Sequence, residues 1–205
     1  MSGAPDVVEL CAPFREDAVR ALRAGDRVRV GGTVYTGRDR LHKRLGEGGS
    51  SPVDLRDGAL FHCGPVVLRD DAAPGGAGWR VVAAGPTTSI REEPYMAEII
   101  RRHGVRLVIG KGGMGARTLE ALRECGCAYL QAVGGAAALT ARRIASVDGV
   151  FFLDDFGPTE AMWQLRLDGL EAIVGMDAHG ESLFDAVRTS SREALRRAGC
   201  PAVSP

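Results

Sequence analysis

The sequence lacks any surplus of charge of one sign. Lysine plus arginine and aspartate plus glutamate each number 26 among the 205 residues, so the formal net charge at pH 7 is zero. Proteins that bind nucleic acid usually carry a basic surplus that neutralises phosphates. The balance therefore argues against a nucleic-acid partner, and any site for an anion must be formed locally.

The sequence also lacks a long apolar run and a secretory leader pattern. No apolar segment approaches the roughly 18 residues that span a bilayer, so we expect no membrane partner. The opening residues, MSGAPDVVEL, show no basic stretch followed by an apolar one. The five cysteines are odd in number and scattered, which is not the pattern of a disulfide framework. They indicate a reducing compartment, and we expect a cytoplasmic protein.

Length and composition are those of an ordinary globular protein. Hydrophobic residues make up 45% of the chain and charged residues 25%, which is enough apolar material for a buried core. No internal repeat or low-complexity segment interrupts the chain. We predict a single domain over residues 1–205.

The first third of the chain is rich in strand and turn patterns. Strands are predicted at residues 7–12, in DRVRVGGTVYTG, and at 59–68 with an interruption at Gly64-Pro65. Helices are predicted at residues 15–24 and 38–45, each followed by a glycine. This part of the chain predicts a mixed sheet or a second sheet.

From residue 79 onward, strand patterns alternate with helical ones. The predicted strands are WRVVAAG, VRLVIG, AYLQAV, GVFFLDD, AMWQLRL and LEAIVGMD. The predicted helices are residues 94–103, ARTLEALREC, AAALTARRIA and the tail from Glu181 to Ala198. Alternation of this kind predicts right-handed βαβ units, and hence an α/β fold with a mainly parallel sheet.

The most motif-like segment is the loop GKGGMG between a predicted strand and a predicted helix. Gly110, Gly112 and Gly115 match the G-x-G-x-x-G pattern of dinucleotide-binding loops. That pattern also requires an acidic residue at the end of the next strand, but AYLQAV ends in two glycines. The missing acid argues against a nucleotide site. A Walker A loop is excluded because Lys111 is followed by glycine.

The same loop can bind an anion that is not a nucleotide. Backbone N–H groups at a helix N-terminus favour negative charge, and Lys111 adds a full positive charge. The alternative is a tight strand-to-helix turn with a solvated lysine. The loop by itself does not decide between the two.

The segment GPTTSIREEPY, residues 85–95, follows the end of another strand. Thr87 and Arg91 are four residues apart, a spacing that places both on one face of a helical turn. Arginine holds carboxylates through two parallel hydrogen bonds, which fixes the pose of a ligand. Ser89 and Glu92 also match the S-x-x-E capping box, so part of the segment is predicted to cap a helix.

The segment TGRDRLHKRL forms a third polar cluster, with Arg38, Asp39 and His42 just after a strand. A charged surface helix is the simpler interpretation of this segment alone. However, the three clusters share one layout, because each places a cation beyond the carboxyl end of a strand. Ligands bind at that edge in open α/β sheets. We therefore predict one anion site that contains Arg38, Arg91 and Lys111.

The polar segments, taken in order, resemble one protein family. The matching segments are TGRDRLHKRL, the Gly-Pro of HCGPVVL, GPTTSIR, GKGGMG, YLQAVGGAAAL, EAMWQLRL and DAHGESLFD. Together they resemble the C-terminal domain of class I fumarate hydratases. The same domain forms the separate β subunit of L-tartrate dehydratase and of two-subunit fumarases. The resemblance extends from about residue 10 to about residue 190.

The resemblance implies a swivelling β/β/α domain of three layers. It also implies a hydro-lyase subunit that acts only with a partner, in a reaction that removes water from a 2-hydroxy dicarboxylate such as malate or tartrate. The 4Fe–4S cluster of such an enzyme is held by three cysteines of a larger α subunit, and its open iron polarises the leaving hydroxyl group. No metal or cofactor is then bound by this chain alone. A hetero-oligomer or dimer is expected.

The resemblance also assigns roles to particular side chains. Arg38, Thr87, Arg91 and Lys111 are expected to bind the substrate, and Thr87 and Lys111 are the expected catalytic pair. Thr87 is the candidate for moving the C3 proton, although a hydroxyl group is a poor base at neutral pH unless a neighbour activates it. Whether Thr87 is a base or only a hydrogen-bond donor is left open.

Asp39, His42 and Gly112 are expected to support the residues that touch substrate. His42 is expected to orient Arg38 or the loop rather than to perform chemistry.

The chain departs from the family after the arginine of the threonine motif. Members commonly have methionine or another apolar residue there, whereas this chain continues with Glu92-Glu93-Pro94. The cations are retained, but the particular 2-hydroxy acid is left open. Two alternatives also remain, a stand-alone module that binds an organic acid without catalysis and an NAD(P)-binding protein.

Overall fold

The computed structural model describes residues 7–199. The strands are β1 Val8–Cys11, β2 Arg27–Gly37, β3 Ala59–His62, β4 Val66–Arg69, β5 Trp79–Ala83, β6 Leu107–Gly110, β7 Ala128–Gln131, β8 Ile144–Phe151 and β9 Met162–Met176. The α-helices are α1 Glu16–Ala21, α2 Asp39–Gly46, α3 Glu93–His103, α4 Ala116–Cys125, α5 Ala137–Ala141, α6 Leu153–Phe156 and α7 Leu183–Arg197. A 3₁₀ helix, Ser89–Glu92, precedes α3 directly. No helix within this range is both long and apolar enough to cross a membrane.

The large sheet is mixed and closes on itself. Its strand order is β1-β2-β3-β6-β7-β9-β8, and β2 also pairs with β9, so five strands form a closed ring. The pairs β1–β2, β2–β3, β3–β6 and β6–β7 are parallel. The three pairs that involve β9 are antiparallel. The α/β class is confirmed, and the sheet is mixed, with parallel pairs from β1 to β7 in the strand order and antiparallel pairs to β9. The arrangement does not confirm the swivelling β/β/α layering, which stays a prediction.

Two apolar clusters lie on opposite faces of the ring, because alternate residues of each strand point to opposite sides. Phe61, Ile109 and Leu130 belong to the cluster inside the ring, which also contains Trp163 of β9. Their strand neighbours Leu60, Val108 and Tyr129 belong to the outer cluster, which packs against α2, α3 and α4. Both faces of β3, β6 and β7 are therefore covered. This explains why their sequences are continuously apolar rather than alternating.

The strand WRVVAAG was predicted to join the parallel sheet, and that prediction is wrong. It forms β5, which pairs antiparallel with β4 in a separate two-stranded sheet. The break at Gly64-Pro65 separates β4 from β3 and allows the chain to leave the ring. Trp79 of this hairpin packs edge-on against Trp163, with ring centroids 5.3 Å apart. The expected second sheet is thus present.

The C-terminal half contains two long strands where three shorter ones were predicted. β9 continues through Asp168-Gly169, which reads as a turn in the sequence, because Gly169 adopts a φ of +70° without leaving the sheet. The partner strand β2 has a matching irregularity between Val30 and Gly32. GVFFLDD is also not one strand, since β8 ends at Phe151 and α6 follows.

Candidate active site

The carboxyl ends of β2 and β3 lie side by side and bring the first polar cluster to one edge of the ring. Gly37 is paired with His62, so Arg38 follows β2 next to the segment that follows β3. The Arg38 side chain lies across Gly64, where an added Cβ atom would be 2.8 Å from its Cδ atom. The sequence therefore needs glycine at position 64 for Arg38 to occupy this place.

Asp39 links two of the predicted cations. Its carboxylate accepts a short hydrogen bond from the Arg91 guanidinium group and lies 3.9 Å from that of Arg38. Glu160 approaches Arg38 from the other side, at 3.6 Å from the Nε atom, and accepts a hydrogen bond of 3.0 Å from the Arg40 backbone N–H. Arg38 is mostly buried and Arg91 is half exposed, with side-chain exposures of 22% and 52%. The structure thus brings Arg38, Asp39 and Arg91 together.

The segment that contains Thr87 is fixed between two strand ends by its backbone. Pro86 pairs with Cys63, and the Thr87 N–H donates a 2.6 Å hydrogen bond to the His62 carbonyl group. On the other side, Thr88 pairs with Lys111. Thr87 and Lys111 therefore lie at the same edge of the ring as Arg38, on neighbouring segments.

Ser89 joins three strands beneath this edge. Its Oγ atom accepts hydrogen bonds from the Lys111 backbone N–H at 3.1 Å and from the Tyr129 hydroxyl group at 3.0 Å. The serine hydroxyl group has one proton to donate, and the Nδ1 atom of His62 lies 2.9 Å away as the acceptor. All of the hydrogen-bonding capacity of Ser89 is used in this way. The capping box predicted for Ser89 and Glu92 is therefore wrong, because the Ser89 side chain caps no helix.

The direction of these bonds assigns the tautomer of His62. Because Nδ1 accepts from Ser89, the ring proton lies on Nε2, which has no hydrogen-bond partner within residues 7–199. Burial lowers the pKa of His62 well below its usual range, so the ring is neutral. Burial also raises the pKa of Tyr129 to about 12, which keeps its hydroxyl group a donor.

His42 contacts the backbone of Arg38, as its predicted orienting role requires. Its Nδ1 atom lies 2.9 Å from the Arg38 carbonyl oxygen and donates to it. The ring is fully buried and packs edge-on against His62, with centroids 4.7 Å apart. Burial lowers the pKa of His42 to about 4, although the bond to Arg38 and the charge of Asp39 oppose this shift. His42 is therefore neutral at pH 7.

Several backbone N–H groups of the glycine loop are already bonded to side chains of the protein. The Gly112 N–H donates to the side chain of Gln131 at 2.9 Å, and the Gly113 N–H donates to the Tyr129 hydroxyl group at 3.3 Å. The N-terminus of α4 is bonded to Glu93, whose carboxylate accepts from the Gly115 N–H at 2.7 Å and from both polar groups of Thr118. The negative charge at the N-terminus of α4 is thus supplied by the Glu93 carboxylate of the protein itself. The half-buried Lys111 side chain remains the cation of the loop.

Two glycines of the G-x-G-x-x-G match have structural explanations. A Cβ atom on Gly110 would lie 1.9 Å from the Oγ atom of Ser89, so only glycine admits the serine at this place. A Cβ atom on Gly115 would lie 2.6 Å from the Glu93 carboxylate. The glycines that match the dinucleotide pattern therefore leave space for the side chains of Ser89 and Glu93.

Sequence reasoning missed a buried polar layer beneath the site, formed by His62, Ser89, Glu92 and Tyr129. Glu92 is 1% exposed, and neither of its carboxyl oxygens has a hydrogen-bond partner within residues 7–199. A histidine in the otherwise apolar strand ALFHC was the one available signal. Nothing in the local sequence indicates that Ser89 and Tyr129 meet, because they are 40 residues apart.

The possible metal ligands of the described residues are dispersed. Within residues 7–199 no three His, Cys, Asp or Glu side chains are grouped to hold a metal ion. Cys63 and Cys127 are buried thiols, and burial raises the pKa of both, to about 12 for Cys63. Metals bind the thiolate form, which is disfavoured here. Cys200 lies outside the described residues.

Comparison with known proteins identifies the family of the chain. Residues 4–187 match the model of the family described as fumarase C-terminus. The chain belongs to the fumarase C-terminus family.

Individual relatives carry the names of two hydro-lyases. A protein of Geobacillus stearothermophilus provisionally named class I fumarate hydratase is 50% identical over 189 residues, which is 92% of this chain and 36% of that protein. The L(+)-tartrate dehydratase subunit beta of Escherichia coli K12 is 35% identical over 177 residues, 85% of each chain. A Methanocaldococcus jannaschii protein with the same name, given provisionally, is 36% identical and is covered to 91% of its length. The chain thus spans about a third of the first relative and most of the two β subunits.

Proposed function

We propose that this chain is the small β subunit of an iron–sulfur hydro-lyase that dehydrates a 2-hydroxy dicarboxylate, either malate to fumarate or tartrate to oxaloacetate. The observation that carries the proposal is the meeting of Arg38, Asp39 and Arg91 at the strand edge that also holds Thr87 and Lys111. The size of the two β-subunit relatives supports a separate subunit rather than a whole enzyme.

In this proposal, the two guanidinium groups and the Lys111 ammonium group bind the substrate. Arg91 is half exposed and can exchange its bond to Asp39 for one to a carboxylate, which an arginine binds through two donors. Arg38 is more buried than Arg91, lies 3.9 Å from Asp39 and 3.6 Å from Glu160, and would orient the ligand. Asp39 and His42 support Arg38 from behind, and Gly112 holds the loop through Gln131.

Thr87 remains the candidate for handling the C3 proton. Its backbone is fixed by His62 and by the pairing of its neighbours, so its hydroxyl group is presented from a rigid segment. Removal of a proton by a hydroxyl group requires activation. Lys111, on the adjoining segment, is the proposed source of that activation. If this activation is weak, the Thr87 hydroxyl group would instead donate a hydrogen bond to the substrate.

The larger α subunit is the proposed partner, and it would carry the 4Fe–4S cluster that polarises the leaving hydroxyl group. The absence of grouped ligands in residues 7–199 supports a cluster held by another chain. We also propose that the complex is a hetero-oligomer in the cytoplasm. The four described cysteines are unpaired, which supports a reducing compartment. We also propose that residues 1–205 form one domain with swivelling β/β/α layers. In support of one domain, strands β3, β6 and β7 contribute residues to both apolar clusters.

Co-expression with the adjacent gene tests the function. The neighbour is expected to encode a longer chain with three well-separated cysteines. The purified pair, loaded with its cluster under anaerobic conditions, is expected to convert malate to fumarate or tartrate to oxaloacetate. A loaded complex that turns over neither substrate contradicts the proposal.

A stand-alone module that binds an organic acid is the second candidate, favoured by the same lack of grouped ligands within residues 7–199. It predicts that the isolated chain binds succinate in calorimetry and that no larger subunit is encoded nearby. The NAD(P) alternative loses its support, because Glu93 and the side chains of Gln131 and Tyr129 occupy the loop. NAD(P) binding by the purified chain would restore it.

A further inference from the structure

One ionisable group beneath the site has no task in the proposed reaction. Glu92 ends the 3₁₀ helix and lies one residue after Arg91, yet its side chain turns inward and is 1% exposed. Neither carboxyl oxygen has a donor among the described residues. A carboxylate that is buried without a donor is strongly destabilised, so the structure demands either a proton or a partner.

The carboxylate of Asp39 is the charged group that most disfavours ionisation of Glu92. Two carboxylates repel each other when both are ionised. Asp39 accepts a hydrogen bond from Arg91 and lies near Arg38, whereas neither Glu92 oxygen has a donor among the described residues. The proton therefore belongs on Glu92.

His42 does not provide the missing positive charge. Its Nδ1 atom is 3.7 Å from the Glu92 carboxyl group but donates its proton to the Arg38 carbonyl oxygen. An imidazole whose pKa is lowered to about 4 is neutral at pH 7, so it forms no ion pair with Glu92.

We propose that Glu92 is a positioning residue that stays protonated in its buried place and thereby limits the negative charge that faces Arg38 and Arg91. This role deepens the proposed function, and its effect on substrate binding rests on that function. The protonation of Glu92 itself is a property of the isolated chain.

The charges around Glu92 explain why its proton matters. The groups that face it are Arg38, Asp39, His42, Arg91 and Glu160. With a neutral His42 and a protonated Glu92, the two guanidinium groups are balanced by two carboxylates. Ionisation of Glu92 adds a third carboxylate, which gives the group a net charge of −1 and repels a dicarboxylate ligand.

Burial is the main cause that raises the pKa of Glu92 to about 8, and the charge of Asp39 acts in the same direction. The Arg91 charge opposes the shift, and Glu160 adds to it. Protonated Glu92 is therefore the major form at pH 7, and substrate affinity is expected to fall above pH 8.

The test compares the wild-type complex with Glu92→Gln, which keeps the shape but cannot ionise. Malate and tartrate turnover is followed from pH 6.5 to pH 9.5. If ionised Glu92 prevents binding, the wild-type KM rises about tenfold between pH 7 and pH 9, as one titration near pH 8 requires. The kcat value at saturating substrate stays level, and the KM of Glu92→Gln stays flat. Glu98→Gln, an exposed change on α3, is the matched control and keeps the wild-type profile.

A second measurement separates this inference from the proposed function. Carbon NMR of labelled glutamate in the isolated full-length chain follows the Glu92 carboxyl group directly. Its titration is expected near pH 8 and moves down in Asp39→Asn, where the neighbouring charge is gone. If the complex turns over neither substrate, the proposed function fails, and this titration alone decides whether Glu92 holds its proton at pH 7.

Two results would overturn the inference. One is titration of Glu92 in the ordinary glutamate range near pH 4.3. The other is a KM that rises equally in the wild-type and Glu92→Gln complexes. If Glu92→Gln does not fold, Glu92→Met takes its place, because it also lacks the ionisable group and has the residue common in the family.

Discussion

At the scale of single residues, the proposed site separates side chains that are expected to face the ligand from those that hold them. Arg91 and Lys111 belong to the first group, since Arg91 is half exposed and neither side chain contributes to the apolar clusters. Replacing Arg91 or Lys111 by alanine is expected to lower the kcat/KM of the assembled complex at least about tenfold and to leave folding intact. Each change removes a charge-assisted contact of about 1.5–3 kcal/mol.

Circular dichroism and turnover, measured on the same preparations, check this expectation. Arg102→Ala is the matched control, because Arg102 is also exposed and pairs only with Glu98 on its own helix. Loss of the folded spectrum in Arg91→Ala or Lys111→Ala would show that these residues are structural.

Ser89 is central to the side chains that hold the ligand-facing residues in place. Ser89→Ala leaves the Tyr129 hydroxyl group, the Lys111 N–H and the His62 Nδ1 atom without their partner in a buried place. Such losses cost about 1–3 kcal/mol each when the groups stay dry, so the free energy of unfolding should fall by at least about 2 kcal/mol. Urea denaturation measures this. Ser190→Ala, on the exposed face of α7, should change it little, and an equal loss in both variants would contradict the role of Ser89.

At the scale of elements, α4 depends on a residue of another helix. Glu93 opens α3, but its carboxylate binds the N-terminal groups of α4. Glu93→Ala removes that cap and the favourable charge at the helix N-terminus, which should lower the free energy of unfolding by about 1–2 kcal/mol. Thermal and urea unfolding measure the effect. Glu120→Ala, an exposed change on α4 itself, serves as the control, and equal effects would count against the cap.

The elements also show what the sequence can and cannot predict. α4 was predicted with its observed bounds because its apolar spacing and the glycines at both ends are local signals. β9 was divided in two because Asp168-Gly169 has the composition of a turn, and only the pairing with β2 keeps the strand continuous. The cations were found through their strand-end positions. Ser89, Glu92 and His62 were assigned wrongly or not at all, because their partners are distant in the sequence.

At the scale of the whole molecule, buried titratable groups predict how stability depends on pH. The folded chain holds the Glu92 proton up to about pH 8, whereas an unfolded chain releases it near pH 4.5. Folding therefore binds a proton between these values, and stability falls as pH rises through them. The lowered pKa values of His42 and His62 act in the opposite sense, but only below about pH 6.5.

The free energy of unfolding is thus expected to decrease from pH 6.5 to pH 8, by at most about 1.4 kcal/mol per pH unit. Urea denaturation across this range measures the slope. Glu92→Gln should remove the decrease, whereas Glu98→Gln should retain it. A wild-type slope that persists in Glu92→Gln would assign the dependence to another group.

The closed ring of strands also determines when the chain can fold during its synthesis. Arg27 of β2 pairs with Ile173 of β9, so residues 146 positions apart (173 − 27) must meet before the ring is sealed. Contacts between such distant residues form slowly. Until β9 leaves the ribosome, β2 presents an unpaired edge to solvent, and such edges associate with other chains. A nascent chain of this protein is therefore expected to expose this edge of β2 until Met162–Met176 have been synthesised.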